Sequence, residues 1–227
     1  MSRGALIVFA RRPEPGRVKT RLCPPFTPTQ ACEFYRALLA DVLEASAEMA
    51  AATGLEAVLA VTPETACAEL ARRCPPSFRV IAQRGADLGA RMEWAVAEAA
   101  AAGRNPIVLR GSDNPSLSPA LLVEALTALR DSDLVLGPDL GGGYGLVALR
   151  RPAPGLFAHP MGTRTVCEDT LRAASRLGLR AALLRPHFDL DTSEDLRNLA
   201  ALRGGPDAVR CARSLAYLDE QRLWPST

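Results

Sequence analysis

The stretch ALIVFARRPEPGRVKTRL, residues 5–22, joins a short apolar run to a basic, proline-rich loop. Ala5 to Ala10 reads as a first strand. Behind it Arg17, Lys19 and Arg21 gather around Pro13, Pro15 and Gly16. Thr27-Pro28 then has the pattern of an N-cap and first helical residue. In an open α/β sheet, ligands bind outside the carboxyl ends of the strands, so a cationic loop leaving a first strand suits polyphosphate. The loop lacks the second glycine and the Gly-Lys-Ser/Thr ending of a P-loop. A solvated basic turn fits the same residues equally well, so the loop gains meaning only from what the rest of the chain brings to it.

Strand and helix patterns alternate downstream. Strands are expected at 55–61, 78–82, 107–109, 134–136, 144–149 and 180–184. Helices are expected at 27–52, 62–74, 92–102, 118–129, 163–177, 192–202 and 207–222, the sixth opened by a capping box of Thr192 and Asp195. Repeated strand–helix–strand units demand right-handed crossovers and a mainly parallel sheet, hence an α/β fold. The fully apolar Ile107–Leu109 reads as a central strand. Loops 11–25, 83–90, 111–117, 138–143 and 186–192 should then meet at one edge.

Composition narrows the function. At 227 residues the chain suits one α/β domain able to fold without staples. A net charge of +2 is too small for a nucleic-acid or membrane surface, so anion binding must be local. Six cysteines without a Cys-x-x-Cys pair read as reduced thiols, and two histidines exclude a His-rich metal cluster. No segment has the pattern of a secretory leader or a membrane span, so a cytoplasmic enzyme is expected.

Three loops carry chemistry. In GSDNPSL, Gly111 to Leu117, Asp113 is left at the sheet's edge, where a carboxylate holds a divalent cation or bonds its own turn. In FDLDTSEDL, Asp189 and Asp191 alternate and can project to one side; with Asp113 they suit Mg²⁺ or Mn²⁺, although Asp191 is equally a helix cap. A haloacid-dehalogenase reading of the same string fails because too little chain follows it. In GPDLGGGYGLVAL, Gly137 to Leu149, three glycines allow backbone N–H groups to approach a sugar or phosphate, as would a plain hairpin. Gln83 is a candidate for a base or sugar edge, while Asp87 reads as either a ligand contact or a helix N-terminus. His159 reads as a surface residue and His187 as a neighbour of the site.

The ordered set P-x-P-G-x-x-K-T-R-L, Gly-Ser-Asp-x-Pro, Gly-Pro…Gly-Gly-Tyr and Phe-Asp-x-Asp-Thr-x-Glu-Asp-Leu resembles the bacterial DUF2064 family over about residues 4–202. That family is described as arsenosugar-type or selenodomain-associated glycosyltransferases of the nucleotide-diphospho-sugar transferase superfamily. The chain is also similar to phospholactate and molybdenum-cofactor guanylyltransferases. The resemblance implies a GT-A three-layer αβα sandwich over 1–203, with a helical extension at 204–227. It implies that Lys19 and Arg21 hold phosphates, that Asp113 binds the metal, and that Asp189 or Asp191 completes the coordination. Arg12, Gly16, Arg17, Gln83, Asp87, Gly142, Gly143 and Tyr144 are the candidate substrate contacts. Gly141 stands where members typically carry Asp, which puts the acceptor contact in question.

The expected activity is Mg²⁺-dependent transfer from a nucleotide donor, leaning to nucleotidyl transfer from a nucleoside triphosphate to a small phosphorylated or hydroxylated acceptor. Glycosyl transfer from a nucleotide-sugar is the alternative, and a catalytically weakened nucleotide-binding protein a third. Leu215, Leu218 and Leu223 are expected to cover the domain's flank or to contact a second copy.

Overall fold

Strand β1, Ala5–Arg11, is apolar on both faces because both are covered. Leu6, Val8 and Ala10 face one hydrophobic cluster, and Ala5 and Ile7 face the other. The computed structural model describes residues 3–225. Around β1 lie β2 (Glu56–Thr62), β3 (Phe78–Ala82), β4 (Ile107–Gly111), β5 (Leu134–Pro138), β6 (Tyr144–Leu149) and β7 (Ala181–Leu183). They form one seven-stranded sheet in the order β3-β2-β1-β4-β6-β5-β7. β4 is the middle strand, as its apolar sequence implies. Only β6 runs antiparallel to its neighbours; the remaining pairings are parallel. The result is the expected α/β architecture of helices on both faces of a mainly parallel mixed sheet.

Helix α1, Pro28–Thr53, begins at Thr27 with a complete capping box shared with Gln30 and ends at Gly54 in the left-handed region, φ +70°. It shares one face with α2 (Cys67–Ala71), α4 (Pro119–Ala128), α6 (Leu196–Ala200) and α7 (Ala212–Gln221). The other face carries α3 (Leu88–Ala101) and α5 (Val166–Arg176). No helix among the described residues is long and apolar enough to cross a membrane.

Several local expectations need correction. The helix expected over 62–74 is a 3-10 turn at Glu64–Ala66 followed by the short α2. The last helix is broken: a 3-10 turn at Ala208–Cys211 precedes α7. Of the capping box at Thr192 only the reciprocal half forms, the Thr192 N–H donating to the Asp195 carboxylate, and the Thr192 hydroxyl does not accept from the Asp195 N–H. The Asp195 carboxylate accepts from the Asp191 N–H at 3.0 Å, the Thr192 N–H at 2.7 Å and the Thr192 hydroxyl at 2.9 Å, and α6 starts only at Leu196.

Helix α7 closes on α1 through a buried carboxylate. Asp41, 3% exposed, accepts from the Ser214 N–H at 2.8 Å, the Ser214 hydroxyl at 2.7 Å and the Arg213 N–H at 3.2 Å. It thus serves the first N–H groups of α7 from another helix, the task an N-cap normally performs. Leu215 and Leu218 are buried in the same contact, so they are not available to a second copy. Asp41→Ala is expected to lower unfolding stability by roughly 1–3 kcal/mol, because it strands buried donors of α7. Urea titration checks this, and limited proteolysis should show cleavage beginning near residue 212.

Candidate active site

Parallel register sets the ends of β1 and β4 side by side, with Phe9 opposite Gly111. The chain leaving β1 turns at Gly16, φ +74°, and is anchored by the buried Val18 and Leu22. Between those anchors Lys19 adopts a left-handed backbone, φ 49° and ψ 36°. That conformation costs a non-glycine residue roughly 1–2 kcal/mol, so its contacts must hold it there.

Those contacts are acidic. The Lys19 side chain is only 3% exposed; its ammonium pairs with Asp113, donates to the Leu190 carbonyl at 2.6 Å and lies 3.4 Å from Asp191. Arg21, well exposed, reaches Asp191 at 3.3 Å. Burial by itself would lower the Lys19 pKa, but Asp113, Asp189 and Asp191 together outweigh it and hold the ammonium above its ordinary range. Asp189 responds oppositely: burial, then repulsion from Asp113, push its carboxyl up to about 7 against the pull of Lys19.

Side chains the sequence did not single out join the two acidic loops. Asn114 is buried; its amide donates to the Phe188 carbonyl, and its Oδ1 accepts from the Ser116 N–H at 2.8 Å and the Ser116 hydroxyl at 2.7 Å. The Leu190 N–H donates to the Asp113 carbonyl at 3.2 Å. Beneath them Arg110, 2% exposed, donates to the Asn114 carbonyl at 2.7 Å and to Ser46 Oγ on α1 at 3.1 Å. The Tyr35 hydroxyl is 2.9 Å from Ser112 Oγ and accepts from the Arg11 N–H at 3.2 Å, tying α1 to both strand ends.

The cleft over this edge has a volume of about 1300 Å³. Arg17, Lys19, Arg21, Asp113, Asp189 and Asp191 line it, as do Gln83, Asp87, Gly143 and Tyr144. Not all of these point their chemistry at a ligand. Gln83 donates its amide to the Ala10 and Ala60 carbonyls, at 3.1 and 2.9 Å, and so braces β1 against β2. Asp87 is the N-cap of α3, accepting from the Ala90 N–H at 2.8 Å. Arg17 is exposed and pairs with Glu14 at 3.5 Å. Tyr144 accepts from the Thr170 hydroxyl at 3.2 Å; His159 contacts the same hydroxyl at 3.0 Å and so is not merely a surface residue.

Three candidates lie elsewhere. Arg12 does not line the cleft: its guanidinium turns to Glu69 on α2, 3.1 Å away. Gly16 makes the exposed turn before the site and no part of the lining. Gly142 does not line the cleft either; at φ +90° it packs on the Arg164 carbonyl, where any Cβ would overlap. His187 fits between Gly137 and Gly145, whose missing side chains make its space.

A family model described as "uncharacterized protein conserved in bacteria (DUF2064)" matches residues 44–163, just over half of the chain. The chain belongs to the DUF2064 family. The DUF2064 chain is 30% identical over 190 residues to a phosphoenolpyruvate guanylyltransferase of Chloroflexus aggregans, spanning 81% of this chain and 91% of that protein. A crystal structure from Desulfovibrio desulfuricans G20, provisionally classed as a nucleotide-diphospho-sugar transferase, superposes with a TM-score of 0.82 at 28% identity, over 97% of this chain and 98% of that one. The 4-diphosphocytidyl-2C-methyl-D-erythritol synthase of Anaerococcus prevotii shares the fold, with a TM-score of 0.58 at 10% identity, over 88% and 97% of the two chains. The fold is therefore GT-A, and this DUF2064 chain is an enzyme of the nucleotidyl- and glycosyltransferase class.

Within the DUF2064 site the glycine loop departs from the motif the family resemblance implied, and the structure gives Asp139 a definite task there. Its Oδ1 accepts from the Gly141 N–H at 2.7 Å and the Gly143 N–H at 2.9 Å, folding the loop on itself. Asn114→Ala is expected to cost roughly 1–3 kcal/mol, since it leaves the part-buried Phe188 carbonyl unpaired and loosens the join between the acidic loops. Chemical denaturation measures the loss; crystallography should find residues 188–191 displaced from Asp113.

Proposed function

We propose that this enzyme is a nucleotidyltransferase that joins a nucleoside triphosphate to a small phosphorylated acceptor and releases pyrophosphate. The observation that carries the reading is the convergence of Lys19 and Arg21 with Asp113, Asp189 and Asp191 in one cleft, drawn from loops far apart in sequence. Attack at an α-phosphorus builds negative charge on phosphate oxygens and on the departing pyrophosphate. Lys19 and Arg21 are the cations that would stabilise it, by positioning and electrostatics rather than covalent chemistry.

The donor set also suits a divalent metal. All the ligands are hard oxygens, and Asp113 and Asp191 are 41% and 45% exposed towards the cleft. Asp189 is pushed up to about 7 by burial and crowding, the sign of an acidic site short of positive charge. Among the described residues no three His, Cys, Asp or Glu side chains already form a metal cage. Mg²⁺ seldom needs one, since it is commonly held by one or two carboxylates, waters and substrate phosphates. Asp113 with Asp189 or Asp191 would hold it. Bound there, the ion would neutralise the triphosphate and orient its oxygens.

A phosphate acceptor fits this reading because it arrives already ionised and needs no base, whereas one oxygen of the glycine loop's carboxylate, Asp139 Oδ1, is taken up by the Gly141 and Gly143 N–H groups. The Chloroflexus relative's name makes GTP with phosphoenolpyruvate the first pair to assay. Pyrophosphate release that needs both substrates and Mg²⁺ supports the reading. Release of a nucleoside diphosphate from a nucleotide-sugar, without pyrophosphate from any triphosphate, would overturn it. Asp113→Asn is expected to slow turnover on the order of 100-fold. Arg21→Ala should raise the triphosphate KM about 10-fold, about 1.4 kcal/mol, with little change in Tm.

A further inference from the structure

The chain contains 27 lysines and arginines, of which 26 are arginine; Lys19 is its single lysine. Everywhere else a cation is needed, guanidinium serves. At position 19 an ammonium stands against Asp113, Asp191 and the Leu190 carbonyl, in a side chain 3% exposed. An ammonium is a compact point charge that can sit between carboxylates, which a planar fork cannot do in the same space. Two of its three partners are also ligands for the proposed metal.

The carboxylates do not depend on Lys19 to stay together. Asn114 to the Phe188 carbonyl, and the Leu190 N–H to the Asp113 carbonyl at 3.2 Å, join the two loops through other atoms. Lys19, by contrast, enters from a left-handed backbone position held between the buried Val18 and Leu22. The acidic loops are therefore joined without Lys19, and its ammonium can leave without parting them.

We propose that Lys19 is a tethered stand-in for the divalent cation, so that metal entry and transfer of the Lys19 ammonium to the donor's phosphates are one exchange. Without nucleotide, metal must displace a cation bound to the chain. With nucleotide, the displaced ammonium gains phosphate partners, so metal and nucleotide strengthen each other's binding, and by linkage they do so reciprocally. The inference rests on the metal reading above but makes a separate claim, about what occupies the site before the metal does.

The test measures Mn²⁺ affinity by electron paramagnetic resonance on the full chain without nucleotide, for wild type, Lys19→Met and Asp113→Asn. Lys19→Met is expected to bind Mn²⁺ at least about 10-fold more tightly than wild type, and Asp113→Asn to lose binding. Equal or weaker binding by Lys19→Met overturns the exchange while leaving the metal reading intact. If neither wild type nor Lys19→Met binds Mn²⁺, with or without GTP, the metal reading falls and the exchange with it. A second measurement needs no variant. Acetylation of Lys19 by an N-hydroxysuccinimide ester, followed by peptide mapping, should speed up at least about 10-fold at saturating Mg²⁺, because the ammonium is released to solvent. An unchanged rate overturns the proposal.

Discussion

The site is organised by one buried positive charge. An ammonium taken out of water is tolerated only beside compensating anions, and carboxylates crowded together are tolerated only beside a cation. Asp113 and Asp191 both pair with the Lys19 ammonium, and Asp189 lies within reach of its charge. The charge thus meets acids from two other loops, although the three leave the sheet more than 70 residues apart. The sheet supplies the rest: β1 and β4 are adjacent and parallel, so their carboxyl ends open onto the same edge.

Around that charge the molecule places braces rather than more reactive groups. Arg110 and Asn114 hold the loop of Asp113, Asp195 holds the backbone of Asp191, and Tyr35 ties both strand ends to α1. Asp139 does the same for the glycine loop, and Gly142 lets residue 164 approach it. Polar groups at this edge are mostly committed to the backbone. The cations and the acids that face the cleft stand out by contrast.

The architecture was readable because its signals are local. Alternating apolar runs, Thr27-Pro28, Ser118-Pro119 and the apolar Ile107–Leu109 each act over a few residues, and the strands and main helices follow them. Lys19, Arg21 and Asp113 could be brought to one cleft from sequence because they lie in the loops that leave β1 and β4. Arg12 was misplaced because Glu69, which captures it, lies 57 residues away. From sequence Gln83 reads as a ligand contact, since nothing in its neighbours shows that two strand carbonyls await its amide. The direction of β6 and the partners of Asn114 and Arg110 depend on contacts between distant segments, which periodicity does not encode.

The docking of α7 on α1 has a consequence for the order in which the protein is made. Asp41 and the apolar face beside it emerge from the ribosome early, but Ser214, Leu215 and Leu218 follow some 170 residues later. Throughout that interval the nascent first helix presents an uncovered greasy flank with an acid in its midst. Until then the acid lacks its Ser214 donors and stays hydrated, so the flank closes only when the last part of the chain arrives.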